Sequence, residues 1–489
     1  MPGAFSTDTL VDDIASGSPL DPSDKMPANS SLSEPELEPK PEIPKLASPS
    51  PSSASKETVH LIKRSTLFGP RLHLQRQQQF RNSLLASVGY LELANAADFA
   101  ANVWNEIPVP RFAAVLMGIG GTIALAMTSV AVQDFRLSWR NVKLLRSERR
   151  GLQHLSSQAD GLEARILSAR LGVEIRELGT EIVDRLAMDL LMGIGSVLVG
   201  VGTLMAIGGA DPKVYKASNL LSGYIGNAVA AAFGVINAVW SVYLLVRFYK
   251  HEVAVKRSRV DPAIKERICT RFRRFGGHAF LNGITGLVAG AGSLVTATRW
   301  WGYVVLLPCI ISLIFCNYFW RRRLGYDRPV FGPGEDTESL TQSLEYVLAM
   351  QGMLGSRDVE SGLHAAPMQG DQSGSLEDIL RLIEENRMLE RYVESLVREK
   401  ETRRLLLEAL PVDEAGHMSV SVEDMGRFLS GPHVPTMLSH ARRFLRVEGV
   451  DIFVHRERYL LELLGCAIWM SQADIQEAAF ELNEINCEG

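Results

Sequence analysis

Residues 187–249, AMDLLMGIGSVLVGVGTLMAIGGADPKVYKASNLLSGYIGNAVAAAFGVINAVWSVYLLVRFY, decide the fold. They contain two apolar runs, Leu190–Ala210 and Gly223–Val246, joined by a polar link carrying Asp211, Pro212, Lys213 and Lys216. Each run covers the roughly 20 residues that an α-helix needs to cross about 30 Å of hydrocarbon. Neither holds an Asp, Glu, Lys, Arg or His. The stretch therefore predicts a membrane-spanning helical hairpin, with the lipid bilayer as its first partner.

Working outward, three further apolar segments read as spans, near 112–132, 279–298 and 303–319. The last is framed by Trp300, Trp301 and Tyr303 at one end and by Tyr318, Phe319 and Trp320 at the other, which suits two headgroup belts. The expected fold class is all-α, a polytopic bundle of about five transmembrane helices with helical cytosolic connectors and a helical C-terminal region. The bundle occupies 111–323, and its connectors are 135–186 and 247–277. In the first connector two apolar stripes at helical spacing, Leu152 to Ile166 and Leu171 to Leu186, are expected to pack on each other. Residues 80–110 carry Leu84, Val88, Leu91 and Ala94 at near-helical spacing, interrupted by Glu92 and Asp98, and read as an amphipathic interfacial helix.

The flanks differ from the bundle. Residues 1–57 hold ten of the 22 prolines and ten acidic residues against four lysines, a composition that cannot offset its ordering entropy. Residues 1–79 are thus expected to be a disordered tail followed by a basic segment of no assigned structure. Residues 324–374 read as a helix and a flexible linker, 375–410 as one long helix and 411–489 as a small helical module. The five cysteines are scattered without metal-ligand spacing, which argues against a disulfide framework.

Charge sets an orientation. Ten Lys or Arg residues lie in each long connector and four follow the last span, against two in the Asp211 link and one between the last two spans. With five spans the positive-inside rule places the connectors and the C-terminal third in the cytosol and the N-terminal tail outside. If Ala279–Thr298, weakly hydrophobic and rich in glycine, does not span, or if Leu84–Trp104 does, that tail returns inside; glycan at the sequon Asn29-Ser30-Ser31 requires a luminal tail. The connectors' positive charge also suits anionic lipid, although setting topology is sufficient reason for it.

Within the spans, Gly226, Ala230, Gly234 and Ala238 recur every four residues, and Gly286 and Gly290 repeat the spacing. Lipid supplies no hydrophobic force between helices, so such small-residue rows mark seams where backbones approach closely. Asn227, Asn237 and Asn282 are the notable polar side chains of the spans. They read either as interhelical hydrogen-bond partners or as ligands on a transport pathway, with the first favoured because no ionisable group accompanies them. Four Gly-x-Gly pairs lie inside apolar helices with no preceding strand, which discounts a nucleotide site. The acids of Asp413–Asp424 have Ala415, His417 and Met418 where a calcium loop needs ligands and a glycine.

From Ile379 as heptad position a, the pairs Ile379/Leu382, Asn386/Leu389 and Val393/Leu396 follow the preferences of a parallel two-stranded coiled coil. The same residues equally serve as a core face on their own chain. A homodimer or a helical protein partner through 375–410 is one expectation, and intramolecular packing the other.

The segments Tyr90–Asn95, Arg136–Asn141 and Met192–Asp211 resemble an uncharacterised group of fungal multi-pass integral membrane proteins over residues 80–330. That resemblance implies no activity. No HExxH, Walker A, GxSxG or kinase signature occurs, and no nucleic-acid partner is indicated. The expected function is non-catalytic, without cofactor or metal: a membrane scaffold or adaptor whose cytosolic helices engage a partner. A small-solute channel or transporter through the glycine-rich bundle is the alternative.

Overall fold

The computed structural model describes residues 57–66, 69–75, 77–82, 84–104, 108–329, 337–355 and 375–487. The tail before residue 57 and the linker 356–374 lie outside the described residues. The fold is all-α, with five helices long and apolar enough to cross a membrane. These are α2 (Arg111–Ser156), the continuous pair α3 (Gly161–Thr180) and α4 (Met188–Ala206), the continuous pair α5 (Pro212–Ser218) and α6 (Asn227–Arg257), α7 (Pro262–Thr296) and α8 (Gly302–Phe319). Both continuous pairs are joined by π-helical turns, Glu181–Ala187 and Asn219–Gly226. Asp211 and Asp261 accept hydrogen bonds from Lys213 N and Ile264 N ahead of Pro212 and Pro262, so each helix starts on an N-cap with proline at its first position.

Apolar side chains face outward along these helices: Val239 is 68% exposed and Ile311 67%. A surface of that kind needs hydrocarbon as its solvent, which fits a multi-pass membrane protein. At 46 residues α2 is about 69 Å long, more than twice the hydrocarbon thickness. Its second half, the start of α3, the end of α6 and the start of α7 therefore project together beyond the bundle on one side, here called the connector side.

On that side they join one continuous core. It runs from Val59 and Leu61 through Val142, Leu145, Phe248, Phe272 and Phe275 to Leu389, Leu396, Phe444 and Leu463. Its C-terminal part comprises α9 (Thr337–Gly355), α10 (Leu376–Glu385), α11 (Leu389–Arg398), α12 (Lys400–Ala409), α13 (Val422–Met425), α14 (Val434–Phe444) and the long α15 (Val450–Cys487). The single long helix expected over 375–410 is three helices. It breaks at Asn386–Arg387, where Arg387 has φ 45°, and at Glu399, which is extended. The proposed seam is buried inside the same chain: Ile379, Leu382, Asn386, Leu389, Val393 and Leu396 are all core residues. Asn386 donates to Tyr346 Oη at 3.1 Å and accepts from Arg456 Nη1 at 3.1 Å, so its amide is used within the protomer. The heptad spacing here marks a core face.

The N-terminal region departs furthest from expectation. Strand β1 (Thr58–Thr66) pairs antiparallel with β2 (Gly69–Leu74) on one edge. On its other edge it pairs with β5 (His417–Ser421), in register from Thr58↔Ser421 to Ile62↔His417. A second small pair joins β3 (Gln79–Phe80) to β4 (Arg328–Pro329). Residues 58–80 therefore sit on the connector side with the C-terminal region, while α2 begins at Arg111 on the far side. The chain between them is not an interfacial helix.

It passes through the bundle as a 3-10 helix, Ala86–Ala96, followed by α1, Phe99–Val103. It runs antiparallel to α2. Leu85 N donates to Asp134 at 3.3 Å, Val88 and Leu91 pack with Ala131, Ala94 with Ala124, and Ala100 and Ala101 with Ala113 and Met117. Eleven residues at about 2.0 Å and five at about 1.5 Å cover roughly 30 Å, the hydrocarbon thickness. The three-residue period also explains its sequence. Val88, Leu91 and Ala94 form one buried row, Leu93 and Ala96 pack against α8, and Glu92, Asn95 and Asp98 form a polar row. Residues 58–80 therefore lie on the same side as the C-terminal region, where five crossings alone would put them on the opposite one.

Candidate functional site

The glycine rows form the seams of the bundle. A Cβ on Gly234 would stand 2.5 Å from the Gly286 carbonyl, and one on Gly290 would stand 2.9 Å from Ala231 Cα. A Cβ on Gly226 would instead meet Val199 of α4 at 2.8 Å, and Ala230 packs with Met192 of the same helix. The row running from the end of the π turn into α6 thus serves two neighbours, with Gly226 and Ala230 against α4, and Gly234 and Ala238 against α7.

Two polar assemblies lie between these seams. The first is at the far half and centres on Asp98, which is fully buried. It accepts from Tyr303 Oη at 2.8 Å, Asn102 Nδ2 at 2.8 Å and Asn227 Nδ2 at 3.5 Å. Asn227 also donates to Thr296 Oγ1 at 3.3 Å. One carboxyl thereby ties together α1, α6, α7 and α8. The sequence places Asp98 on an interfacial helix; the 3-10 passage brings it instead to Asn227.

The second assembly is at the connector half. Arg185 donates to Asp134 at 2.9 and 3.2 Å and to Glu181 at 3.1 Å through both carboxylate oxygens. Glu181 also accepts from Ser138 at 2.7 Å and Asn141 at 3.2 Å. Arg185, Asp134 and the neighbouring Asp189 are all buried. Further out, Arg328 lies between Glu148, at 2.8 and 2.9 Å, and Glu177, at 2.7 and 3.1 Å. Burial alone would lower the Arg328 pKa, but these two carboxylates hold it well above the ordinary range. Arg176 grips Glu462 of α15 through two bonds of 2.7 Å and donates to Tyr326 Oη at 2.5 Å. Burial pushes the Tyr326 phenol up. Arg176, Arg185 and Arg271 therefore act as internal clamps, and part of the positive charge counted in the connectors is unavailable to lipid headgroups.

A cavity of about 100 Å³ opens between these groups. Its walls come from the 3-10 passage, the π turn Glu181–Ala187, and α6, α7 and α8. Phe80, Leu84, Phe233, Leu313 and Trp320 supply an apolar lining, and Glu92, Asp184, Asn237, Asn282, His278 and Asn317 a polar one. Asn237 and Asn282 bond across the α6–α7 seam, with Asn282 Nδ2 donating to Asn237 Oδ1 at 3.0 Å and Asn237 Nδ2 to the Asn282 carbonyl at 3.2 Å. They are thus interhelical partners that also face the cavity. Asn227 belongs to the Asp98 assembly and does not join them. Of the carboxylates in the wall, Glu177 and Glu181 are paired with Arg328 and Arg185. Among the described residues Glu92 accepts from Asn95 alone, at 2.7 Å, and Asp184 Oδ1 is buried with no hydrogen-bond partner, the nearby Arg176 being bonded to Glu462 and Tyr326 instead.

Among the described residues no group of three or more His, Cys, Asp or Glu side chains is placed to hold a metal ion. Asp413 and Asp424 are committed to local backbone, accepting from His417 N and from Ser421 N. Comparison with protein-family models, curated proteins and solved structures finds no match to this chain.

Proposed function

We propose that this is a non-catalytic multi-pass membrane protein that binds a small solute inside its bundle, in the manner of a carrier or channel. The observation that carries the reading is the cavity at the connector half, which combines an apolar lining, facing amides and two carboxylates without a bonded cation. Pockets with those ingredients are the usual form of small-molecule sites. The wall includes a π turn, a feature common at functional sites because it breaks the regular helix ladder. The Asp98 assembly would close the far half in this state. The scaffold reading is weaker because the 375–410 seam is spent on the chain's own core. On the positive-inside rule we place the connector side in the cytosol, so the cavity would fill from there.

The test is ligand-dependent stabilisation of the purified protein in nanodiscs across a panel of small amines, alcohols and carboxylates. Under this reading at least one class raises the unfolding temperature, and Phe233→Trp, which fills the cavity, abolishes the rise. A panel without effect, alongside mass measurements showing a stoichiometric protein partner, would favour the scaffold.

A further inference from the structure

The cavity's charge balance points to a chemical class. Two guanidinium groups line it, and both are already engaged: Arg176 by Glu462 and Tyr326, and Arg185 by Asp134 and Glu181. The acids are in surplus. Glu177 and Glu181 are satisfied, whereas Glu92 and Asp184 make no ion pair among the described residues. Ionised carboxylates in a poorly hydrated site are costly, and either a proton or a bound cation removes that cost. An anion would have to displace one of the arginine clamps. Neutral solutes would leave both carboxylates as they are.

The rest of the wall narrows the class further. Phe233 and Trp320 offer aromatic surface beside the acids. The Trp320 indole N–H is already given to Asn82 Oδ1 at 3.2 Å, so the ring presents itself as surface and not as a donor. Carboxylates with aromatic walls are the combination that holds an alkyl or aryl ammonium, one end through charge and the other through apolar and cation–π contact. A bare metal ion fits poorly, since no multi-ligand group is assembled there.

We infer that the cavity binds a protonated amine with an apolar body, with Glu92 and Asp184 as its counter-charges. This rests on the reading of the cavity as a solute site, and the experiment separates the two. Phenethylamine, 2-phenylethanol and 3-phenylpropionate share nearly one shape and carry charges of about +1, 0 and −1 at neutral pH. Each is titrated into the full-length protein in nanodiscs, with affinity read by calorimetry. The amine should bind about tenfold or more tightly than the alcohol, and the carboxylate least. Glu92→Gln and Asp184→Asn should each erase most of that preference while leaving the unliganded unfolding temperature unchanged or raised. Glu408→Gln, on an exposed pair with Arg404, should change nothing. Equal binding of alcohol and amine, untouched by Glu92→Gln and Asp184→Asn, overturns the cationic class but leaves the cavity a solute site. Preferred binding of the carboxylate does the same. If none of the three binds, both readings fall.

Discussion

The two halves of this molecule are held together by different means, because they face different solvents. Within the membrane half the helices meet through absent side chains: Gly234 lies on the Gly286 carbonyl, and Gly290 on Ala231. Lipid offers no reward for burying a leucine between helices, so close backbone approach and dispersion decide the packing. In the connector half the same helices continue past the bilayer, and the contacts change to large aromatic and aliphatic side chains with buried guanidinium–carboxylate clamps. Water restores the hydrophobic effect there. One helix, α6, shows both regimes along its length, with Gly234 and Ala238 on the α7 seam and Phe248 stacked on Phe275 with ring centroids 4.6 Å apart.

This contrast can be broken by substitution. The largest effect is expected at Arg328. Replacing it with Met leaves Glu148 and Glu177 buried without a cation, a loss of roughly 3–5 kcal/mol. Adding Glu148→Gln and Glu177→Gln to that variant should recover much of the loss, and chemical denaturation of the connector half measures both. Leu389→Ala, in the same core, should cost about 2–5 kcal/mol through its cavity. If Leu389 instead formed an intermolecular seam, its effect would vary with protein concentration.

In the membrane half, Gly234→Ala forces a methyl onto a backbone carbonyl and should cost roughly 1–3 kcal/mol by parting α6 from α7. Gly118, whose Cβ would meet nothing within 4 Å, is the matched control; there alanine should gain about 0.5–1 kcal/mol from helix propensity. Smallest of all, Asn237→Leu removes the bond to Asn282 and should cost about 1 kcal/mol. Thermal unfolding in one detergent ranks all three. Equal losses at Gly234 and Gly118 would remove the distinction between the halves.

The membrane half was largely readable from sequence, because a run of twenty uncharged apolar residues has few other meanings. The 3-10 passage was not. Glu92 and Asp98 lower its hydropathy, and its period of three does not match the 3.6 of an α-helix. Its true rows, Val88–Leu91–Ala94 and Glu92–Asn95–Asp98, become visible once the shorter period is tried. The heptads of 375–396 misled for the opposite reason: a real period was present, but any helix with a buried face produces it. Strands β1 and β5 alternate correctly around Val59 and Leu61, and Met418 and Val420, yet β5 is five residues long and its partner lies more than 350 residues away. The cavity depended on the passage, so it was out of reach with it.

Everything on the connector side and one wall of the cavity depend on residues 84–104 crossing inside the bundle. Single cysteines on a cysteine-free background test this directly with an impermeant maleimide: His73→Cys before the passage, Lys213→Cys in the link between α4 and α6, and Glu408→Cys in the C-terminal region. All three positions are exposed. The account predicts that positions 73 and 408 label from one face of sealed vesicles and position 213 only from the other. Labelling of position 73 from the same face as position 213 would contradict it.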